Sequence, residues 1–95
     1  MTKDLKLVTI FSESVLERKI LNDLEQLGIK GYTVSDCRGR GTHVSTNMIA
    51  AASPNIRIEI MCEHDVSLHV AGLLTEKYEK NFGLLIFSRP IDLLN

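Results

Sequence analysis

The chain has almost no net charge: 11 basic residues stand against 12 acidic ones, a formal −1 over 95 residues. No overall field is left to draw in nucleic acid or an acidic membrane. Long apolar runs are missing too, and none approaches the ~20 residues that cross a bilayer as a helix. The opening residues, Met1-Thr2-Lys3-Asp4-Leu5, lack the apolar stretch of a secretory signal, so a cytoplasmic location is expected. Cysteine is scarce. Cys37 and Cys62 do not form a CxxC pair, and in the cytosol they read as free thiols, Cys62 buried and Cys37 incidental. Nucleic-acid binding and direct membrane insertion are therefore not expected.

What is present suits one folded domain, residues 1–95, with 44% hydrophobic residues. A core of this size gives modest stability, and oligomerisation is a common supplement. Leu5 to Phe11 reads as a strand. Ser14-Val15-Leu16-Glu17 has capping-box spacing, with Leu16, Ile20, Leu24 and Leu27 on one helical face behind it. Ser12 and Ser14 are assigned to capping, while Glu13, Glu17, Asp23 and Glu25 are assigned to the solvated face. Gly28 is placed as the residue that stops the helix. Tyr32 to Cys37 reads as a second strand. In Ile56 to Glu63, Ile56, Ile58, Ile60 and Cys62 alternate with Arg57, Glu59, Met61 and Glu63. Asp65 is the expected cap of a second helix, whose face is Val66, Val70, Leu73, Leu74 and Tyr78. Leu84 to Ser88 reads as a fourth strand, stopped by Pro90.

The order βαββαβ predicts an α+β, ferredoxin-like sandwich with two helices on a four-stranded antiparallel sheet. That fold alone assigns no function. One span has no period of either kind: about 38–55, between strands two and three. A loop that long in a compact domain is usually functional or disordered.

Several chemistries can be set aside. The turn after the first strand, Phe11-Ser12-Glu13-Ser14, has no thiolate pair for a soft metal. Ile56-Arg57-Ile58-Glu59-Ile60 has no aromatic residue for base stacking. His43, His64 and His69 do not share ligand spacing, and Cys37 with His43 is too few ligands for a closed site. No nucleophile stands beside a base, so no enzyme is expected. Arg38-Gly39-Arg40-Gly41-Thr42 does carry chemistry, since glycines let backbone amides approach an anion and arginines add bidentate donors. By itself the segment reads better as a Gly-rich turn with solvated arginines.

Gly31-Tyr32-Thr33-Val34, then Arg38-Gly39-Arg40-Gly41, the long loop, and Ile56-Arg57-Ile58-Glu59-Ile60 together resemble the PII-like signalling proteins. Within them the chain is most similar to the SbtB-type branch, associated with bicarbonate uptake and carbon sensing. The resemblance implies a homotrimer whose sheets enclose a central core. It implies adenine nucleotides in clefts between neighbouring subunits, and a T-loop (about 38–55) that contacts a target protein. That target is expected to be a membrane transporter for inorganic carbon, which would recruit the protein to the inner face of the membrane.

Position by position, Gly39, Arg40 and Gly41 match the loop base near the phosphates. Gly31, Tyr32 and Thr33 match the segment that meets the adenine. Ile60, Met61 and Cys62 match the stretch lining the base pocket. Phe82, Gly83 and Leu84 match the segment before the last strand, which supplies backbone contacts. Bicarbonate is a second expected ligand, with Arg38, Arg40 and Arg57 as donors. No metal is expected.

The chain departs from the typical PII pattern in places. Glu79-Lys80-Asn81-Phe82-Gly83 stands where typical PII proteins have a Gly- and Lys-rich triphosphate grip, which favours AMP, ADP or cyclic AMP over ATP. His43 to Ala52 holds no arginine, unlike the SbtB-type loop, which weighs against cyclic AMP, and no tyrosine for modification. The last residue, Asn95, is reached without the cysteine-bearing tail of some SbtB-type proteins, so no redox switch is expected there. Three alternatives remain: a trimeric CutA-like metal-binding protein, an ACT-like amino-acid-sensing domain, and a purely structural trimer with a disordered loop.

Overall fold

The computed structural model describes residues 4–39 and 55–95. Arg40, Gly41 and most of the expected T-loop lie outside the described residues. The elements are β1 (Leu5–Glu13), a 3-10 turn (Ser14–Leu16), α1 (Glu17–Gln26), β2 (Thr33–Cys37), β3 (Asn55–Glu63), α2 (His64–Tyr78) and β4 (Leu84–Pro90). The strands form one antiparallel sheet in the order β2-β3-β1-β4, so the expected ferredoxin-like arrangement is the observed one.

The alternation in β3 sets the two faces. Ile56, Ile58 and Ile60 are buried. They stand opposite Ser12, Ile10 and Val8 of β1, which are buried as well. Leu16, Ile20 and Leu24, together with Val70, Leu74 and Tyr78 of α2, join this core. Each fully buried aliphatic side chain contributes roughly 1.5–3 kcal/mol. The other face carries Leu7, Thr9 and Phe11 of β1, Arg57, Glu59 and Met61 of β3, and Leu85, Phe87 and Arg89 of β4, by the same register.

The end of α1 is a Schellman motif. Ile29 N–H donates to the Leu24 carbonyl and Gly28 N–H to the Glu25 carbonyl, both at 3.0 Å. Gly28 has φ +86°, the left-handed conformation this closure requires. Ile29 and Leu24 are both buried, the apolar contact that accompanies the motif.

Both capping expectations are corrected. β1 runs two residues past Phe11, so Ser14 falls inside the 3-10 turn. Glu13 precedes the turn and Leu16 precedes α1, neither with a side-chain cap. Ser12 is a buried strand residue whose hydroxyl donates to the Glu13 carbonyl at 3.1 Å. Asp65 does not cap α2 either. β3 and α2 abut without a linker, the helix begins at His64, and the His64 N–H donates to the Asp4 carbonyl at 3.0 Å. Asp65 sits in the first turn, where a carboxylate meets the positive end of the helix dipole.

Two acidic residues also leave their expected places. Glu13 ends β1 rather than facing solvent from a helix. Asp23 is buried at 7% exposure. Its Oδ1 receives Lys77 Nζ at 2.6 Å and its Oδ2 receives the Tyr78 hydroxyl at 2.6 Å. These contacts tie α1 to the end of α2. Pro90 ends β4 opposite Lys6, on an outermost strand where its missing N–H does not interrupt a ladder.

Candidate functional site

β2 is short, and its length shapes the site. It pairs with β3 only from Thr33 opposite Glu59 to Cys37 opposite Asn55. Ile60 to Glu63 therefore have no strand partner on that side. The chain leaves the Schellman turn and passes this open edge through Lys30, Gly31 and Tyr32. Between them lies a groove of about 620 Å³, lined by Leu27 to Thr33, by Glu59 to Cys62, and by Leu7 and Val66. The six expected base-pocket residues, Gly31, Tyr32, Thr33, Ile60, Met61 and Cys62, are all in this lining.

The groove mixes apolar side chains such as Leu7, Ile60 and Val66 with polar ones, Lys30, Thr33 and Glu59 among them. Ile60 is buried, while Tyr32 and Met61 are exposed at 41% and 46%. Burial pushes the Cys62 thiol pKa up, which keeps the sulfur neutral and unreactive near neutral pH. Glu59 supplies a carboxylate oriented by the buried Thr9, whose hydroxyl donates to Oε2 at 3.0 Å. Arg57 Nε stands 4.0 Å from the other oxygen of Glu59.

Arg38, Gly39, Phe82, Gly83 and Leu84 lie at the opposite end of the sheet. Cys37, Asn55 and Glu13 stand in one row across β2, β3 and β1. Arg38 and Gly39 follow Cys37 and are exposed. Leu84 stands opposite Ser12, and Gly83 N–H donates to Glu13 Oε2 at 3.2 Å. Phe82 packs edge-to-face on Tyr78, with ring centroids 6.5 Å apart. Four strand positions separate this row from the Thr33–Glu59 row, roughly 13 Å at 3.3 Å per residue. β4 is also the far edge of the sheet from β2. Within one copy, the structure therefore divides the expected residues into two groups and does not unite them.

Arg57 joins neither group. It lies on the face opposite the helices, across from Ser35 and Phe11, three positions short of Arg38 along β2. Arg40 and Gly41 are outside the described residues. Sequence reasoning missed Leu7, Leu27 to Lys30, Glu59 and Val66 in the groove. Glu59 had a readable signal, a charge on the polar face of the strand whose next residues were already assigned to the site.

The described residues leave the sheet face away from the helices uncovered. Leu7, Phe11, Met61, Leu85 and Phe87 crowd onto it, with Phe11 and Phe87 ring centroids 6.2 Å apart. Phe87 is 42% exposed.

The sequence matches the family model of the nitrogen regulatory protein P-II over residues 5–93. The chain belongs to the P-II family. It is 31% identical to a Thermus thermophilus protein described as a PII-like signaling protein; the match covers 94% of this chain and 88% of that one, with a TM-score of 0.76. CPII from Thiomonas intermedia, in a structure bound to ADP, AMP and acetate, is 20% identical. That match covers 98% of this chain and 91% of CPII, with a TM-score of 0.82. A further CPII structure, bound to ADP, AMP and bicarbonate, is 17% identical over 96% of each chain, with a TM-score of 0.68. P-II family membership accounts for the ferredoxin-like sheet and for a long segment between β2 and β3.

Proposed function

We propose that this P-II family chain is a non-enzymatic signalling subunit that binds an adenine nucleotide between neighbouring copies of a homotrimer. The observation that carries the reading is the division of the candidate residues between two ends of one sheet. A nucleotide that touched both groups would need the groove of one copy and the Arg38–Gly39 and Phe82–Leu84 end of the next. The uncovered apolar face supports a trimer, since burying it removes apolar surface from water at about 25 cal/mol per Å².

AMP and ADP are the favoured ligands. One lysine and one glycine in Glu79 to Gly83 make a poor triphosphate grip, and CPII is a family neighbour bound to ADP and AMP. Cyclic AMP is the third candidate. Bicarbonate is proposed as a second ligand, with Arg38, Arg40 and Arg57 as donors, supported by the bicarbonate-bound CPII structure. Ligand binding would favour one arrangement of the T-loop and so shift its availability to a target protein. Within the family we assign the chain to the SbtB-type branch. The target is then an inorganic-carbon transporter, and the location is the cytoplasm with recruitment to the membrane's inner face.

Calorimetric titration with AMP, ADP, ATP and cyclic AMP tests this. We expect micromolar binding of AMP or ADP, with about one ligand per copy. At alkaline pH, where the Cys62 thiolate forms, the same ligand should slow its alkylation, since Cys62 lines the groove. If no adenine nucleotide binds, the reading fails. Binding of a divalent metal or an amino acid in its place would return the CutA-like or the ACT-like alternative.

A further inference from the structure

Gly83 is buried in the turn between α2 and β4. The N–H groups of Asn81 and Phe82 both go to the Tyr78 carbonyl, at 3.2 and 3.0 Å. The next N–H, that of Gly83, goes instead to a carboxylate 70 positions away, Glu13 Oε2 at 3.2 Å. A buried amide needs a partner, and this one is held by an anion. The anion belongs to the same row of the sheet as Cys37, the residue just before Arg38 and Gly39.

We propose that the Glu13 carboxylate is a built-in competitor for the ligand's anionic group at the Gly83 N–H. This rests on the nucleotide reading above. In the free protein, Glu13 satisfies the buried donor through a charge-assisted hydrogen bond. A phosphate or other oxyanion that takes the same N–H must displace the carboxylate and then tolerate its charge nearby. Both effects weaken binding, and like charges brought together at an interface are strongly disfavoured. Glu13 thus sets a threshold, so that only ligands whose base and sugar contribute enough contacts elsewhere displace it. Displacement also releases the end of β1 from the turn before β4.

Glu13→Gln keeps an acceptor of the same size and removes the charge. We expect it to bind ADP about tenfold more tightly than wild type, equivalent to about 1.4 kcal/mol. Where wild type binds ADP, equal or weaker ADP binding by the variant overturns the proposal. A second probe, inorganic pyrophosphate, has no base or sugar and is followed at the Gly83 amide by 15N-edited NMR. We expect the amide to shift with pyrophosphate in Glu13→Gln at concentrations that leave wild type unchanged. Equal response in the two proteins, or none in either, overturns the competitor role whatever ADP does. If the pyrophosphate difference appears but neither protein binds ADP, the competitor stands and the nucleotide reading is what fails. The rest of the amide spectrum reports whether the variant is folded.

Discussion

Replacing Asp23 with alanine lowers the unfolding free energy by about 2–3 kcal/mol, because a buried tyrosine hydroxyl loses its charged acceptor. Against a total of roughly 5–15 kcal/mol for a domain of this size, that is a large share. The Tyr78 hydroxyl donates to Asp23 at 2.6 Å, and Tyr78 is only 6% exposed. The Lys77 ammonium on the other oxygen is nearly half exposed and contributes less. Tyr78→Phe should cost less than Asp23→Ala, because Asp23 keeps Lys77. Urea unfolding of the two variants gives the ranking; a loss below about 0.5 kcal/mol for Asp23→Ala would show that the contact does not hold the helices together.

The same contact predicts an alkaline signature. The Asp23 hydrogen bond raises the Lys77 pKa, and burial followed by the Asp23 hydrogen bond raises that of Tyr78. The folded protein therefore keeps protons that the unfolded chain releases above about pH 10. Stability is complete below that pH and falls as pH climbs through the raised values. In Asp23→Ala the fall is shallower, since only the burial of Tyr78 remains.

Phe87→Glu should dissolve the assembly without unfolding the subunit. Phe87 lies on the uncovered face, opposite Thr9 and beside Phe11, and adds little to the core beneath the helices. In the proposed trimer it is buried against neighbouring copies. A carboxylate there loses its hydration without a partner, at a cost of several kcal/mol. Sedimentation should change from about 32 kDa, three times 10.6 kDa, to the subunit mass, with circular dichroism preserved and nucleotide binding lost. A wild-type protein that sediments as a monomer, or a variant that stays at about 32 kDa, refutes this role for the face.

The parts of the fold that were legible from sequence are those where one residue type repeats with one period. Ile56, Ile58, Ile60 and Cys62 mark β3 to within a residue of its observed start. Leu16, Ile20 and Leu24 mark the buried side of α1. Gly28 was readable as a stop because its closure uses only bonds that span three and five residues. Asp23 was not. It stands three residues after Ile20, on the inward side, but an aspartate there has meaning only through Lys77 and Tyr78, more than 50 residues on. Ser14 failed for a related reason: a capping box describes a helix start, and β1 continued past the place where the helix was expected to begin.

The candidate site divides along the same line. Its two groups could be named from short motifs, since each is made of two short contiguous segments. Their placement at opposite ends of the sheet depends on strand register, which pairs Thr33 with Glu59 and Cys37 with Asn55. Glu13 escaped notice because its partner, Gly83, offers only a backbone group, and backbone groups leave no trace in composition.

That separation has a genetic consequence. If each cleft takes one end from each of two copies, a subunit damaged at Tyr32 and a subunit damaged at Gly83 are defective in different halves. Each alone makes a trimer with no sound cleft. Co-expressed in one cell, they assemble mixed trimers in which the intact groove of one can face the intact turn of the other. Two inactive alleles would then restore binding between them, whereas two alleles damaged at the same end would not.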